Sequence, residues 1–175
     1  MRVPVISSGK IPVDNDAMAK AIMKSGIVLI DTAHGYNNGR NEEVLGRLLK
    51  DFNREDFIIA TKVHQPAERS TGKFRDTATK QNFLDKFKIS LERLGLDYVD
   101  IIYSHALSSQ EAVLHEPTME ALQQLKDEGK ARFTGISTHS NEAECVNAAV
   151  DSNFYDVVLA AFNYEPNESE ALEKA

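Results

Sequence analysis

The stretch Ser90-Leu91-Glu92-Arg93-Leu94-Gly95-Leu96-Asp97-Tyr98-Val99-Asp100-Ile101-Ile102-Tyr103-Ser104-His105 joins two kinds of periodicity. Leu91 and Leu94 continue a helical spacing that begins with Phe83, Leu84 and Phe87, and Gly95 breaks it. The apolar run from Val99 follows at once, as a strand buried on both faces would, and ends in polar Ser104 and His105. A helix that feeds a short apolar strand with a reactive residue at its far end is half of a βα repeat. The same form recurs on both sides of it. Ile27-Val28-Leu29-Ile30 leads to Asp31, with Tyr36 five residues on, Phe57-Ile58-Ile59-Ala60-Thr61 leads to Lys62, and residues 133–136 lead to Ser137. Residues 157–160 precede Asn163.

Counted along the chain, six such units are expected. Residues 3–8 form the first strand, and a helix capped at Asp14 or Asn15 runs through Met18, Ala21 and Ile22 to Gly26. Residues 27–30 are the second strand. Helices are expected over residues 41–50, 77–94, 118–128 and 142–151, and strands over 57–61, 99–103, 133–136 and 157–160. Pro117 suits a first helical turn. Polar residues 65–75, with Gly72 and no apolar period, read as a loop at the reactive end of the third strand. Residues 168–175 look like the opening of a sixth helix. The fold class is therefore α/β, an incomplete (β/α)8 barrel of about six units, forming one domain over residues 1–175.

Composition narrows the function classes. The 175 residues are 42% hydrophobic and 27% charged, an ordinary globular balance. A net charge of −7, from 20 basic and 27 acidic residues, argues against a nucleic-acid backbone as partner. Cys145 is the single cysteine, so no internal disulfide can form and a reducing compartment is expected. It falls inside an expected helix as a small buried residue. No apolar run approaches a membrane span, and residues 1–10 lack the long apolar segment of a secretory signal, so cytoplasm is the expected location.

Parallel strands direct their following loops to one rim, and the polar strand ends should meet there. A tyrosine has a pKa near 10 and donates a proton poorly to a carbonyl at neutral pH unless a positive charge stands beside it. At an effective dielectric of about 20, a unit charge about 4 Å away is worth up to about 4 kcal/mol. Lys62 can supply that charge beside Tyr36, Asp31 on the adjacent strand can hold the ammonium, and neutral His105 can donate to a substrate oxygen or share the proton. Taken alone, Lys62 and Asp31 read equally well as a buried structural ion pair, and Tyr36 as an aromatic packing over the rim. Arg40, Glu42 and Glu43 read as helix-cap and surface charges, with Glu42 also able to orient the Tyr36 loop.

The set resembles the aldo-keto reductases. Asp31-Thr32-Ala33 with Tyr36, Asn41-Glu42 with Gly46, Thr61-Lys62, the run from Ser90 to Asp100, and Gly135-Ile136-Ser137 match that family's pattern in order and spacing. The likeness covers residues 3–163. It implies a (β/α)8 barrel that transfers hydride from NADPH to a small-molecule aldehyde or ketone without a metal, with Asp31, Tyr36, Lys62 and His105 as the catalytic tetrad. Thr32, Ser137, Thr138 and Asn163 are the implied cofactor contacts, Ser137 at the nicotinamide carboxamide. Leu159 stands where many members have a glutamine. The resemblance also implies that strands seven and eight carry the phosphate contacts, so this chain by itself is expected to show little reductase activity and to associate. Two other readings remain open on the residues. One is a metal-dependent barrel hydrolase using His34, His64, His105 and His139, and the other a non-catalytic member that binds nucleotide or a partner.

Overall fold

The structure, a computed structural model, describes residues 15–161. The expected first strand (3–8), Asn163 and the expected last helix (168–175) lie outside the described residues. Five parallel strands pair in chain order: β1 (Leu29–Asp31), β2 (Ile58–Val63), β3 (Val99–Leu107), β4 (Ala131–Thr138) and β5 (Val157–Ala160). Six helices connect or flank them: α1 (Asn15–Lys24), α2 (Arg40–Leu49), α3 (Lys80–Leu94), α4 (Gln110–Val113), α5 (Glu116–Asp127) and α6 (Glu142–Ser152). This is the incomplete (β/α) barrel expected from the alternation, with five of the six expected strands among the described residues.

Strand alternation divides the sheet into two faces. Ile30, Ile59, Val63 and Ile102 turn outward and pack with Leu45 and Leu49 of α2, Phe83, Phe87 and Leu94 of α3, and Leu122 and Leu125 of α5. A second cluster places Ile136 and Leu107 with Val113, Cys145, Ala148 and Ala149. The burial expected of Cys145 is thus observed. The other face belongs to the barrel interior. Its register rows run Asp31, Ala60, Ile101, Phe133 and, one layer on, Lys62, Tyr103, Gly135, Val157. Asp31 thus stands at the edge of an otherwise apolar row, and Lys62 follows in the next.

The boundaries correct the sequence reading in several places: β1 covers Leu29–Asp31 and not residues 27–30, and β4 opens at Ala131. β2, β3 and β4 each run two or more residues past their expected ends, so Lys62, His105 and Ser137 lie within strands, Lys62 and Ser137 in register pairs. α3 begins at Lys80 and not at 77, because the Thr79 hydroxyl accepts from the Asn82 amide and fixes the start there. α4, one turn capped by Ser109, was unexpected in a segment with no long apolar period. At the other end of α3, Gly95 adopts φ 63°, the left-handed cap that the sequence required of it.

Candidate active site

The loop after β1 carries Tyr36 back over the sheet. Gly35 is in ordinary right-handed conformation, so the reversal does not turn through it. Asn37 (φ 50°), Asn38 (φ 55°) and Gly39 (φ 89°) make the turn, asparagine being the residue after glycine that best tolerates the left-handed region. Three consecutive left-handed residues fold Tyr36 inward immediately before α2 begins at Arg40.

Beneath it lies Lys62, only 2% exposed. Its ammonium donates to Asp31 Oδ2 (2.5 Å), to the Thr32 carbonyl (2.8 Å) and to the Tyr36 hydroxyl oxygen (3.5 Å). All three donor positions of the ammonium are thereby used. Nζ also stands 5.1 Å from the centre of the Tyr36 ring. His105 presents its ring edge-on to Tyr36, centroids 5.7 Å apart and planes at 76°. The four residues predicted to meet therefore do meet, on the inner face at the C-terminal ends of β1 to β3. Tyr103, paired in register with Lys62, is a second phenol there, and burial followed by the Asp31 charge pushes its hydroxyl upward, so it stays neutral.

His105 is aimed by a bulge. Pairing between β3 and β4 shifts between Ser104 and Leu107, and Ala106 takes φ 59°, a costly conformation for alanine. The Ala106 amide, turned out of the ladder, donates to the Ser137 hydroxyl at 3.0 Å. On the other side the His105 carbonyl faces His64 Nδ1 at 3.2 Å. The two imidazoles stand edge-to-face 6.2 Å apart.

The expected cofactor contacts divide. Ser137, on β4, accepts the Ala106 amide and keeps a hydroxyl proton to give. Thr138 spends its hydroxyl on the Ser140 carbonyl (2.9 Å). Thr32 is fully buried, its oxygen accepting from Asn41 (2.8 Å), so it acts beneath the site through the carbonyl that holds Lys62. Asn163 lies outside the described residues. Leu159 pairs in register with Ser137 and is 41% exposed, leaving an apolar side chain beside that hydroxyl.

Glu42 overturns its reading as a helix-cap or surface charge. It is completely buried, accepting from the Thr61 hydroxyl (2.7 Å) and from Arg93 Nη1 (3.3 Å). Neither Arg93 nor Thr61 carried a role in the sequence reading. Their signal was Glu42 standing three and seven residues before Leu45 and Leu49, on the core stripe of α2. Of the four strand-end histidines, His34 turns its Nδ1 to Ser90 (3.2 Å) and the Arg93 guanidinium (3.4 Å). Burial, then Arg93, depresses its pKa. Among the described residues no three His, Cys, Asp or Glu side chains gather as metal ligands would. No described helix is long and apolar enough to cross a membrane.

The sequence profile of the aldo/keto reductase family matches residues 12–174. The chain belongs to the aldo/keto reductase family. Its likeness to individual members is moderate. It is 33% identical over 169 residues to an L-galactose dehydrogenase of Arabidopsis thaliana, covering 91% of this chain and 50% of that protein. An NADH-specific methylglyoxal reductase of Escherichia coli is 31% identical over 149 residues, 80% of this chain and 45% of that one. A solved aldo-keto reductase from Klebsiella pneumoniae, in complex with NADPH, superposes with a TM-score of 0.58 at 26% identity, over 82% of this chain and 46% of that chain. The chain thus spans about half the length of the curated relatives it matches.

Proposed function

We propose that this aldo/keto reductase chain carries the proton-delivering half of a nicotinamide-dependent carbonyl reduction, with Tyr36 as the donor and an aldehyde or ketone as substrate. One observation carries the reading: a lysine only 2% exposed presents its ammonium to a phenol oxygen. In a structural ion pair the third donor position would be spent on any carbonyl. Here it goes to the Tyr36 hydroxyl, an acceptor that also carries a proton. Asp31 orients the ammonium, and the Thr32 carbonyl fixes its height. As the proton leaves Tyr36, the phenolate that develops lies against a positive charge already in place, the preorganised arrangement that lowers a barrier without reorganising solvent. His105, edge-on to the ring, is placed to share a hydrogen bond with the carbonyl oxygen that receives the proton.

A bound nicotinamide cofactor would supply the hydride. Ser137 is the residue we assign to its carboxamide, because it lies on the same inner face as Lys62 and retains a donor, which suits an amide oxygen. NADPH is the cofactor we propose. The family likeness supports a nicotinamide nucleotide, and the NADPH-bound Klebsiella relative supports the phosphorylated form, whereas the Escherichia coli relative is named NADH-specific.

The test is Tyr36→Phe in a full-length version of the protein, a change that removes the proton and keeps the ring. Reduction of a simple aldehyde, followed as NADPH oxidation, should fall by about 10²- to 10⁴-fold, while the NADPH dissociation constant stays within a factor of two. Equal loss of cofactor binding would make Tyr36 a packing residue and sink the assignment.

A further inference from the structure

We propose that buried Glu42, bridging Thr61 on β2 and Arg93 on α3, is a positioning residue that sets the separation of Tyr36 from Lys62. The inference rests on the reading of Tyr36 as the proton donor. Tyr36 sits on a loop and Lys62 on a strand, and the 3.5 Å between their polar atoms is long enough that a small loop displacement would break the contact. Something must tie loop to strand.

The ties run through one carboxylate. Glu42 Oε1 accepts from the hydroxyl of Thr61, the residue immediately before Lys62, at 2.7 Å. Its Oε2 accepts from Arg93 Nη1 at 3.3 Å, and the same nitrogen donates to the His34 carbonyl, two residues before Tyr36, at 3.0 Å. The far end of the loop rests on the same guanidinium, since a Cβ built on Gly39 would lie 2.2 Å from Arg93 Cζ. The loop is thus gripped in the middle and at its end by Arg93, and Glu42 fixes Arg93 to the strand that carries the lysine. The His34 amide closes the circuit by donating to the Lys62 carbonyl at 2.9 Å.

Energetics favour a geometric role over a stabilising one. A fully buried carboxylate with one ion-pair partner at 3.3 Å recovers its desolvation cost poorly, and an apolar residue of similar volume would serve the stability of α2 as well or better. What the charge contributes is direction: it needs two donors at fixed positions, and those donors stand on the two elements whose spacing matters. Arg93 is a positioning residue in the same sense.

The experiment compares the 175-residue chain with its Glu42→Gln variant. Glutamine keeps the volume and can still accept from Thr61, but its amide has no second oxygen for Arg93. In labelled protein without cofactor, nuclear Overhauser contacts between the Tyr36 ring and the Lys62 side chain should weaken at least threefold. With NADPH and an aldehyde, kcat should fall at least tenfold with KM and the NADPH dissociation constant within twofold. A Glu42 needed only for stability lowers the unfolding midpoint and leaves both readouts of the folded protein unmoved, and that result overturns the proposal. Little or no turnover is expected of the parent chain by itself, and the Overhauser contacts then decide the role of Glu42 by themselves, while the reductase reading stands or falls on Tyr36→Phe in a full-length version. Should Glu42→Gln fail to fold, Thr61→Val cuts only the strand side of the bridge and must give the same weakened contacts, and unchanged contacts there overturn the proposal.

Discussion

Whether Asp31 and Lys62 serve the fold or the chemistry can be decided by the relative size of two stability changes. Asp31→Asn leaves the ammonium of Lys62 buried without its counter-charge. Removing one partner of a fully buried pair costs about 3–5 kcal/mol. The Asp31 side chain is 32% exposed, so water can replace part of its interaction, and the Thr32 carbonyl and Tyr36 hydroxyl still accept from Nζ. Halving the range for that exposure gives a loss of about 1.5–2.5 kcal/mol. In a chain of this size that lowers Tm by about 3–10 °C.

Lys62→Met acts in the opposite sense. It removes the group that pays most for burial, fills the space with an unbranched side chain of similar volume, and leaves Asp31 with access to water. Against this stands the Thr32 carbonyl, which loses its partner at a cost of about 1 kcal/mol. The two effects nearly cancel, so Lys62→Met should unfold within about 1.5 kcal/mol of the parent, and the double variant should be more stable than Asp31→Asn alone. Urea unfolding followed by circular dichroism at pH 7.5 reads all three, provided the m-values agree. A Lys62→Met chain as unstable as Asp31→Asn, or more so, would refute the reasoning: the lysine would then be a structural element, and its contact with Tyr36 a by-product of packing.

Two further outcomes follow from the same geometry. Gly46→Ala places a methyl 2.3 Å from the Arg93 carbonyl oxygen and 2.7 Å from that of Leu94, so α2 must withdraw from α3; thermal unfolding should show a loss of about 1–3 kcal/mol despite alanine's better helix propensity. His34, with its folded pKa depressed below 6.5 by burial and by Arg93, binds its proton more readily in the unfolded chain. Its contribution to stability is therefore complete above about pH 6.5 and is lost as the pH falls from there toward the folded value. The drop in urea midpoint between pH 7.5 and pH 5.5 should be smaller in His34→Asn, the remainder coming in part from His115, which burial shifts in the same direction.

The rim of the barrel was readable from sequence because parallel pairing turns distant strand ends into neighbours. Once residues 57–61 and 99–103 are strands of one parallel sheet, Lys62 and His105 must end on one side of it, and an apolar strand ending in lysine needs an acid on the next strand. Asp31 was the available one, and it is the partner found at 2.5 Å. The turn that brings Tyr36 inward was harder to see. Of the two loop glycines only Gly39 is left-handed, joined there by Asn37 and Asn38, whose tolerance of that region is a weaker signal than glycine's. The Ala106 bulge had no signal at all. Nothing in an alanine marks a positive φ, and the cost of that conformation is met by a hydrogen bond from another strand.

Glu42 shows a different kind of failure, and its cause lies in where the charge stands. An acidic residue in the first turn of a helix is ordinarily a solvated complement to the helix dipole, and Glu42 and Glu43 both fit that description. Position on the stripe separates them: Glu42 shares the face of Leu45 and Leu49 and is buried, whereas Glu43 is exposed. A charge on a core stripe requires a partner from another core stripe, and Arg93, between Leu91 and Leu94 at the end of α3, is the cation so placed. The chemistry faces the barrel interior, but the residues that hold Tyr36 against Lys62 come from the outer layer, reaching the rim through Thr61 on one side and the His34 carbonyl on the other. On the proposed reading, the separation of Tyr36 from Lys62 on the inner face follows how closely α2 and α3 pack on the outer one, and a single methyl at Gly46 then bears on the same geometry as Glu42 itself.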